Sequence, residues 1–417
     1  MSTLDDLLLD FFGHAFASDP PKAIGVAISG GSDSMAMLHL LHRWAGEKGV
    51  ILQAVTVDHG LRKAAADEAK GVAEFCADLG ISHTTLHWTG WDGLGNLQDQ
   101  ARRARYRLMT DWAKTRGIEI IALGHTADDQ AETVLMRLAR GSGVDGLSGM
   151  QQSRNTDGIT WVRPALLLFR QQLRDYLSRH DIKWIDDPSN DDERFERVKA
   201  RKVLRALAPL GIDVERLAGT AQDLQLARRA LEFQTQNAAI DITTVKDGDV
   251  RLEREAFNLL PAEIYSRLLS HALCWVSRTA YRPRRMALTN TVAAVRLRKS
   301  STLHGCRIIW SKTEIRITRE HQAVKDVACP SDAIWDNRWK MTGPHAAGLE
   351  IRALGEAGLA DCPDWRDTDL PRASLLASPA LWQNNTFIAA PLAGLPNGWV
   401  TNALFGMDHF ISSIISH

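Results

Sequence analysis

AIGVAISGGSDSMAMLHLL, residues 23–41, is an apolar run that meets a glycine turn and then a helical pattern. Ile24, Val26 and Ile28 alternate as in a buried strand, Gly30 and Gly31 break the run, and Met35, Leu38, Leu41 and His42 recur at helical spacing. The stretch reads strand, loop, helix. The first turn of a helix has unpaired amides at its positive end, so this junction is a ready anion site. Ser29, Ser32 and Ser34 add hydroxyl donors, and the glycines let the backbone curl against a phosphate with no Cβ in the way. A polyphosphate fits here, but with no Gly-Lys-Ser/Thr ending the lysine of a Walker loop is missing.

SGGSDS (29–34) instead resembles the PP-loop of the ATP pyrophosphatase superfamily, whose members split ATP into AMP and pyrophosphate to activate a carbonyl or amide-like carbon. The resemblance implies that the loop holds the leaving pyrophosphate and that Asp33 helps bind magnesium. Taken without it, Asp33 reads as a helix cap.

Residues 1–20 read as a short amphipathic helix ended by Pro20 and Pro21. Beyond the loop, Ile51 to Gly60 is a second strand carrying Asp58 near its end, Ala64 to Leu79 a helix, and Ile81 to Trp88 a third strand. Leu97 to Arg116 is again helical and Ile118 to His125 a fourth strand. Alternating strands and helices require crossover connections and a parallel, doubly wound α/β sheet with its ligands at the carboxyl ends of the strands. Ser29 to Ser34, Asp58 with His59, and Gly124 with His125 therefore converge on one crevice.

The chain's 417 residues predict two or three domains. Fifty basic and fifty acidic residues cancel, so a nucleic-acid surface must come from local clustering. Five cysteines with no CxxC pair argue against a disulfide framework or zinc knuckle. An acidic N-terminus (Asp5, Asp6, Asp10) and the lack of an 18-residue apolar run predict a cytoplasmic protein with no membrane partner.

GHTADDQAETVLMRL (124–138) puts His125 at a strand end and Asp128, Asp129 and Glu132 on the next helix. Thr126 to Asp129 has capping-box spacing, which accounts for some of these acids without function. A carboxylate facing a triphosphate loop is also where magnesium needs oxygen ligands. Upstream, Arg102, Arg103, Arg105 and Arg107 crowd one helical stretch. Two of the four suit a solvated face, and one beside Tyr106 can neutralise charge on a transferring phosphoryl group.

SGGSDS, VDHGLR, ARRARY, GHTADDQAET and DPSNDDERFERVKAR, in this order and spacing, resemble the tRNA(Ile)-lysidine synthetases of the PP-loop superfamily, over residues 20–205 and only weakly beyond. The resemblance implies that ATP adenylates the carbon-2 oxygen of the wobble cytidine in the isoleucine tRNA with a CAU anticodon, and that the ε-amine of L-lysine then displaces AMP. It makes Ser29, Gly30, Gly31, Ser32, Asp33 and Ser34 the PP-loop, with Asp58 also on the nucleotide side and Asp33 and Asp129 the Mg2+ carboxylates. It also implies that Arg105 and His125 hold phosphate and assist adenylation, and that Arg197 and Arg201 contact tRNA. Where the family commonly has Arg-Asn, Arg197 is followed by Val198. Asp58, Asp128, Glu132 and Asp187 stand as unranked candidates for holding the lysine.

Residues 1–205 are thus expected to form the catalytic domain, 206–325 a mainly helical tRNA-binding region ending in a strand pair, and 326–417 a small β-rich or mixed module. Six basic residues lie within 194–205 and seven, with no acid, within 278–300, which favours a tRNA-phosphate surface. Trp335, Trp339, Trp365, Trp382 and Trp399 read as core rather than as base-stacking platforms. A homodimer is an assembly this reading admits. Its rivals are a PP-loop tRNA 2-thiolation enzyme, which lacks support because Cys76 is the one cysteine in the catalytic half, and an ATP- and tRNA-binding protein without chemistry.

Overall fold

The computed structural model describes residues 5–6, 20–60, 65–89, 91, 97–186, 194 and 196–415, and divides into two compact units, Met1–Arg228 and Arg229–His417. The N-terminal helix read over residues 1–20 and the lysine candidate Asp187 lie outside the described residues, apart from residues 5, 6 and 20.

In the first unit, β1 (Ala23–Ala27) leads through the glycine turn into α1 (Ser32–Lys48). There follow β2 (Ile51–Asp58), α2 (Ala65–Asp78), β3 (Ser82–His87), α3 (Leu97–Thr115), β4 (Ile120–Leu123) and α4 (Ala127–Ala139). These strands lie in the order β3-β2-β1-β4, with β1 paired in parallel to both β2 and β4. The order reverses between β1 and β4, and such a switch point opens a crevice beyond the strand ends.

The sheet extends past the four strands read from the sequence. Ile159–Val162 (β6) runs parallel to β4, and Ser153–Thr156 (β5) closes the edge antiparallel to β6. Both are four residues long, and SRNT carries no apolar alternation to reveal it. Along β1, Ile24, Val26 and Ile28 enter a core with Leu38, Leu41 and Trp44 of α1 and Leu173 and Tyr176 of α5 (Arg170–Arg179). Ala27, Val55, Ile121 and Leu123 face the opposite core with Met109 and Trp112 of α3. Burial on both faces is what a parallel sheet requires, and each fully buried Leu or Ile contributes about 1.5–3 kcal/mol.

Two further helices, α6 (Glu196–Leu207) and α7 (Val214–Ile242), complete the described helices of eight residues or more before the second unit, which α7 enters within its length. Most of the stretch between 207 and 300 is helical, as read, but two short strands interrupt it. Thr243–Lys246 (β7) and Asp249–Glu253 (β8) form a hairpin on Asp247 and Gly248, both at positive φ, a signal of the kind that selects two-residue turns. With β11 (Glu314–Arg319), β10 (Cys306–Trp310) and β9 (Ser301–Leu303) they make a five-stranded antiparallel sheet. Its core includes Tyr265, Leu268 and Leu269 of α8 (Ala262–Ser277). Two small antiparallel sheets built from strands between Cys329 and Ala403 follow, with Trp335, Trp339 and Trp399 in the core beside them. No described helix is long and apolar enough to cross a membrane.

Candidate active site

The turn after β1 is held from inside. Gly30, at φ +81°, offers its carbonyl to the Ile185 amide at 2.9 Å, and an added Cβ would meet Ile185 Cδ1 at 2.7 Å. The Ser34 hydroxyl accepts from the Ser29 amide at 3.1 Å and donates to the Gly31 carbonyl at 3.0 Å. It therefore shapes the loop. Gly31 is the N-cap of α1 without a side-chain cap; the Ser34 amide donates to its carbonyl at 3.1 Å, which leaves the Ser32 and Asp33 amides for another acceptor. Gly124, after β4, lies against that turn: a Cβ there would stand 3.0 Å from Ser34 Cα and 3.1 Å from Ser34 N.

A cleft of about 1500 Å³ opens at these strand ends. Ser29, Gly31, Ser32, Asp33, Ser34, Asp58, Arg105, His125, Asp129, Arg197 and Arg201 all line it; Gly30 does not. Thr126 caps α4 in the predicted capping box, in which Asp129 Oδ2 accepts from the Thr126 amide at 3.0 Å and from its hydroxyl at 3.1 Å. That fixes the carboxylate and aims Oδ1 at Arg197 Nη1, 2.9 Å away.

Arg170 ties the acids together. Its Nε donates to Asp33 Oδ2 at 2.9 Å, and its terminal nitrogens lie 3.4 Å from Asp129 Oδ1 and 3.8 Å from Glu132 Oε1. Arg201 Nε donates to Glu132 Oε1 at 2.6 Å, while Glu132 Oε2 is buried with no hydrogen-bond partner among the described residues. Burial raises the Asp33 carboxyl above its ordinary range against the pull of Arg170. For Asp129 burial acts the same way, but the charges of Arg170 and Arg197 outweigh it and hold the group low. Burial, then the charge of Asp129, raises Glu132.

Of the four clustered arginines, Arg102 lies over the Tyr106 ring, Arg103 pairs with Asp99, and Arg107 is exposed. Arg105 alone of them lines the cleft, and among the described residues it makes no ion pair. Burial lowers its pKa, which marks it as a desolvated cation open to an anion. His125 is pushed down to about 3, chiefly by burial, with the charges of Arg163, Arg197 and Arg105 adding to it against the pull of Asp129, and its Nδ1 is buried without a partner among the described residues. It is a neutral imidazole at pH 7.

The lysine candidates separate. Asp128 Oδ2 accepts from the Arg170 amide at 2.8 Å and so caps α5. Asp58 Oδ1 accepts from the Gly60 amide at 2.8 Å, with His87 Nδ1 3.6 Å from Oδ2. Sequence reasoning missed Arg170 and also Arg174, which reaches Ser32 Oγ at 3.4 Å and Asp186 at 2.7 Å. The available signal was electrostatic: α5 begins with arginine and has no acid in its first turn, the reverse of what a helix N-terminus favours, so a carboxylate partner elsewhere was implied.

Residues 8–207 match the family described as PP-loop domain. The tRNA(Ile)-lysidine synthase of Ruegeria pomeroyi is 50% identical over 410 residues, covering 98% of each chain. The protein of that name from Wolbachia pipientis wMel is 36% identical over 76% of each chain, and that of Mesorhizobium japonicum is 36% identical over 95% of this chain and 88% of its own. With the loop, the parallel sheet and the cleft residues in the same order as the quoted motifs, this chain belongs to the tRNA(Ile)-lysidine synthase family.

Proposed function

We propose that this chain joins L-lysine to carbon 2 of the wobble cytidine in the isoleucine tRNA with a CAU anticodon, consuming ATP, so that the tRNA reads AUA in place of AUG. The observation that carries the reading is the convergence of the turn after β1, the Asp33 and Asp129 carboxylates and Arg105, which has no ion pair among the described residues, in one cleft at the switch point of the sheet. Near full-length identity to the Ruegeria protein supports the substrate.

In the first step the cytosine carbon-2 oxygen attacks the α-phosphorus of ATP, and pyrophosphate leaves with the electron pair of the broken P–O bond. The Ser32 and Asp33 amides of α1 and the guanidinium of Arg105 face the charge that develops, and fixed donors in a water-poor site are worth several kcal/mol there. His125, being neutral, serves as a hydrogen-bond donor rather than a counter-ion. In the second step the lysine ε-amine bonds to carbon 2 while the bond to the adenylate oxygen breaks and AMP leaves. That amine must be neutral to attack. Glu132 is the best supported acid to orient it, having an unpartnered buried oxygen, whereas Asp128 is committed to its cap.

Asp33 and Asp129 are the carboxylates for Mg2+. Their hard oxygens fit it, and among the described residues no larger cluster of protein ligands forms a cage. Mg2+ is commonly held by one or two carboxylates plus substrate phosphates. When bound it neutralises phosphate charge. Arg197 and Arg201 brace Asp129 and Glu132 and, with 38% and 25% of their side chains exposed, stay within reach of a tRNA phosphate.

A thiolation enzyme is disfavoured because no cysteine lines the cleft, and Cys76 lies in the sheet core with its thiol pushed up to about 11 by burial. The test is incorporation of labelled lysine into two transcripts with CAU anticodons, isoleucine and methionine, in the presence of ATP and Mg2+. Alkali-stable label in the isoleucine transcript alone is expected. Pyrophosphate release with no label in either would reject lysine as the nucleophile.

A further inference from the structure

Every oxygen of the two proposed metal carboxylates has a partner. Asp33 Oδ1 accepts the Ser32 hydroxyl at 3.1 Å and Oδ2 the Arg170 Nε at 2.9 Å. Asp129 Oδ2 takes both Thr126 donors, and Oδ1 faces Arg197 and Arg170. Arg170 thus bridges the two acids at Asp33 Oδ2 and Asp129 Oδ1, the oxygens that a cation shared between them needs. Its amide is pinned by Asp128, while its side chain is a flexible stem ending in a planar fork that suits carboxylate and phosphate alike.

The charges of the cluster are matched: Asp33, Asp129 and Glu132 against Arg170, Arg197 and Arg201. A divalent cation entering by itself would have to displace the guanidinium from two carboxylates and leave it only Glu132, which Arg201 already pairs. Entering with a polyphosphate, it brings an anion with it.

We propose that Arg170 is the resident counter-ion of the metal carboxylates and exchanges partners during turnover, bridging Asp33 and Asp129 until the metal arrives with ATP and then passing to the phosphates. The inference rests on the assignment of Asp33 and Asp129 to the metal. It makes Arg170 a positioning residue that blocks binding of metal alone and couples metal binding to nucleotide binding, each strengthening the other by the same factor.

The test is titration of Mn2+, followed by its paramagnetic resonance signal, into the full-length chain with and without α,β-methylene ATP. Wild type is compared with Arg170→Gln and with Arg170→Lys, which keeps the charge but loses the fork; thermal melting reports that each is folded. Without nucleotide, Arg170→Gln is expected to bind Mn2+ at least tenfold more tightly than wild type, with Arg170→Lys between them. With the nucleotide analogue the order reverses, because the variant phosphates lack their guanidinium. Equal affinity of wild type and both variants for Mn2+ alone, with normal Mn2+ binding beside the analogue, would overturn the exchange while sparing the metal assignment. Failure of wild type to bind Mn2+ even with the analogue, or undiminished binding in an Asp33→Asn, Asp129→Asn double variant, would overturn the assignment and the exchange with it.

Discussion

Replacing Gly124 with alanine tests whether the cleft depends on the close approach of β4's end to the first turn of α1. The added Cβ would stand 3.0, 3.1 and 3.2 Å from Ser34 Cα, Ser34 N and Asp33 C, all backbone atoms. No side chain can swing aside, so one segment must retreat by a few tenths of an ångström. Overpacking of this kind costs about 1–3 kcal/mol, and 2 kcal/mol corresponds to a melting shift of about 4–8 °C for a unit of this size. The displaced segment carries the phosphate-facing amides, and a misplacement of ~1 Å at a reacting centre can cost 10²-fold in rate, so a loss of about tenfold or more in tRNA-dependent pyrophosphate release is expected. Gly71→Ala is the control: it lies within α2 with nothing within 4 Å of the added carbon, and should stabilise by about 0.5–1 kcal/mol through helix propensity. A Gly124→Ala protein that melts and turns over like wild type would refute the reasoning.

Arg105→Ala should lower tRNA-dependent pyrophosphate release by about 10²–10³-fold with the melting temperature unchanged or raised, since no carboxylate loses a partner; a melting temperature several degrees lower would contradict the absence of an ion pair. For His125, the folded group titrates near 3 and the unfolded one near 6.5, so between these values the unfolded chain binds the extra proton. Its contribution is fully present above pH 6.5 and is lost as pH falls toward 3. His125→Asn should therefore flatten the acid-side decline of melting temperature, and parallel curves would count against the buried neutral imidazole. In the second unit, Asp249 is buried and accepts from Ser374 at 2.6 Å and Arg316 at 3.3 Å, so Asp249→Ala should cost about 3–5 kcal/mol of that unit's stability, read by denaturant titration. A loss under 1 kcal/mol would mean that Arg316 finds another partner.

The α/β core was legible because its signals are local and strongly periodic. Ile51–Asp58, Ser82–His87 and Ile120–Leu123 fall inside the strands read from alternation, and Leu97–Thr115 matches its helix to one residue. Asp33, His125 and Asp129 meet in the cleft because they follow strand ends, which must meet there in a parallel sheet, and Arg105 reaches it from α3. What could not be read was pairing at a distance. Nothing in the local sequence around Arg170 says that it crosses to Asp33, 137 positions away, and Asp128 looks like Asp129 until one is seen capping α5 and the other α4. Strand β5 escaped because SRNT carries no apolar alternation, whereas the β7–β8 hairpin had its Asp-Gly turn in plain sight.

The pairing of Asp33, Asp129 and Glu132 with guanidinium groups also bears on how the cleft could be inhibited. A neutral competitor would gain little from a lining whose charges already satisfy one another, and a cationic one would have to break the Arg170 bridge before touching Asp33 or Asp129. Arg105 is different, because an anion placed against it disturbs no ion pair among the described residues. A charge-assisted hydrogen bond there is worth about 1.5–3 kcal/mol, or roughly ten- to a hundredfold in affinity. A phosphonate or sulfonate aimed at Arg105, carried on a flat pyrimidine-like ring, is therefore the chemical starting point that this cleft favours.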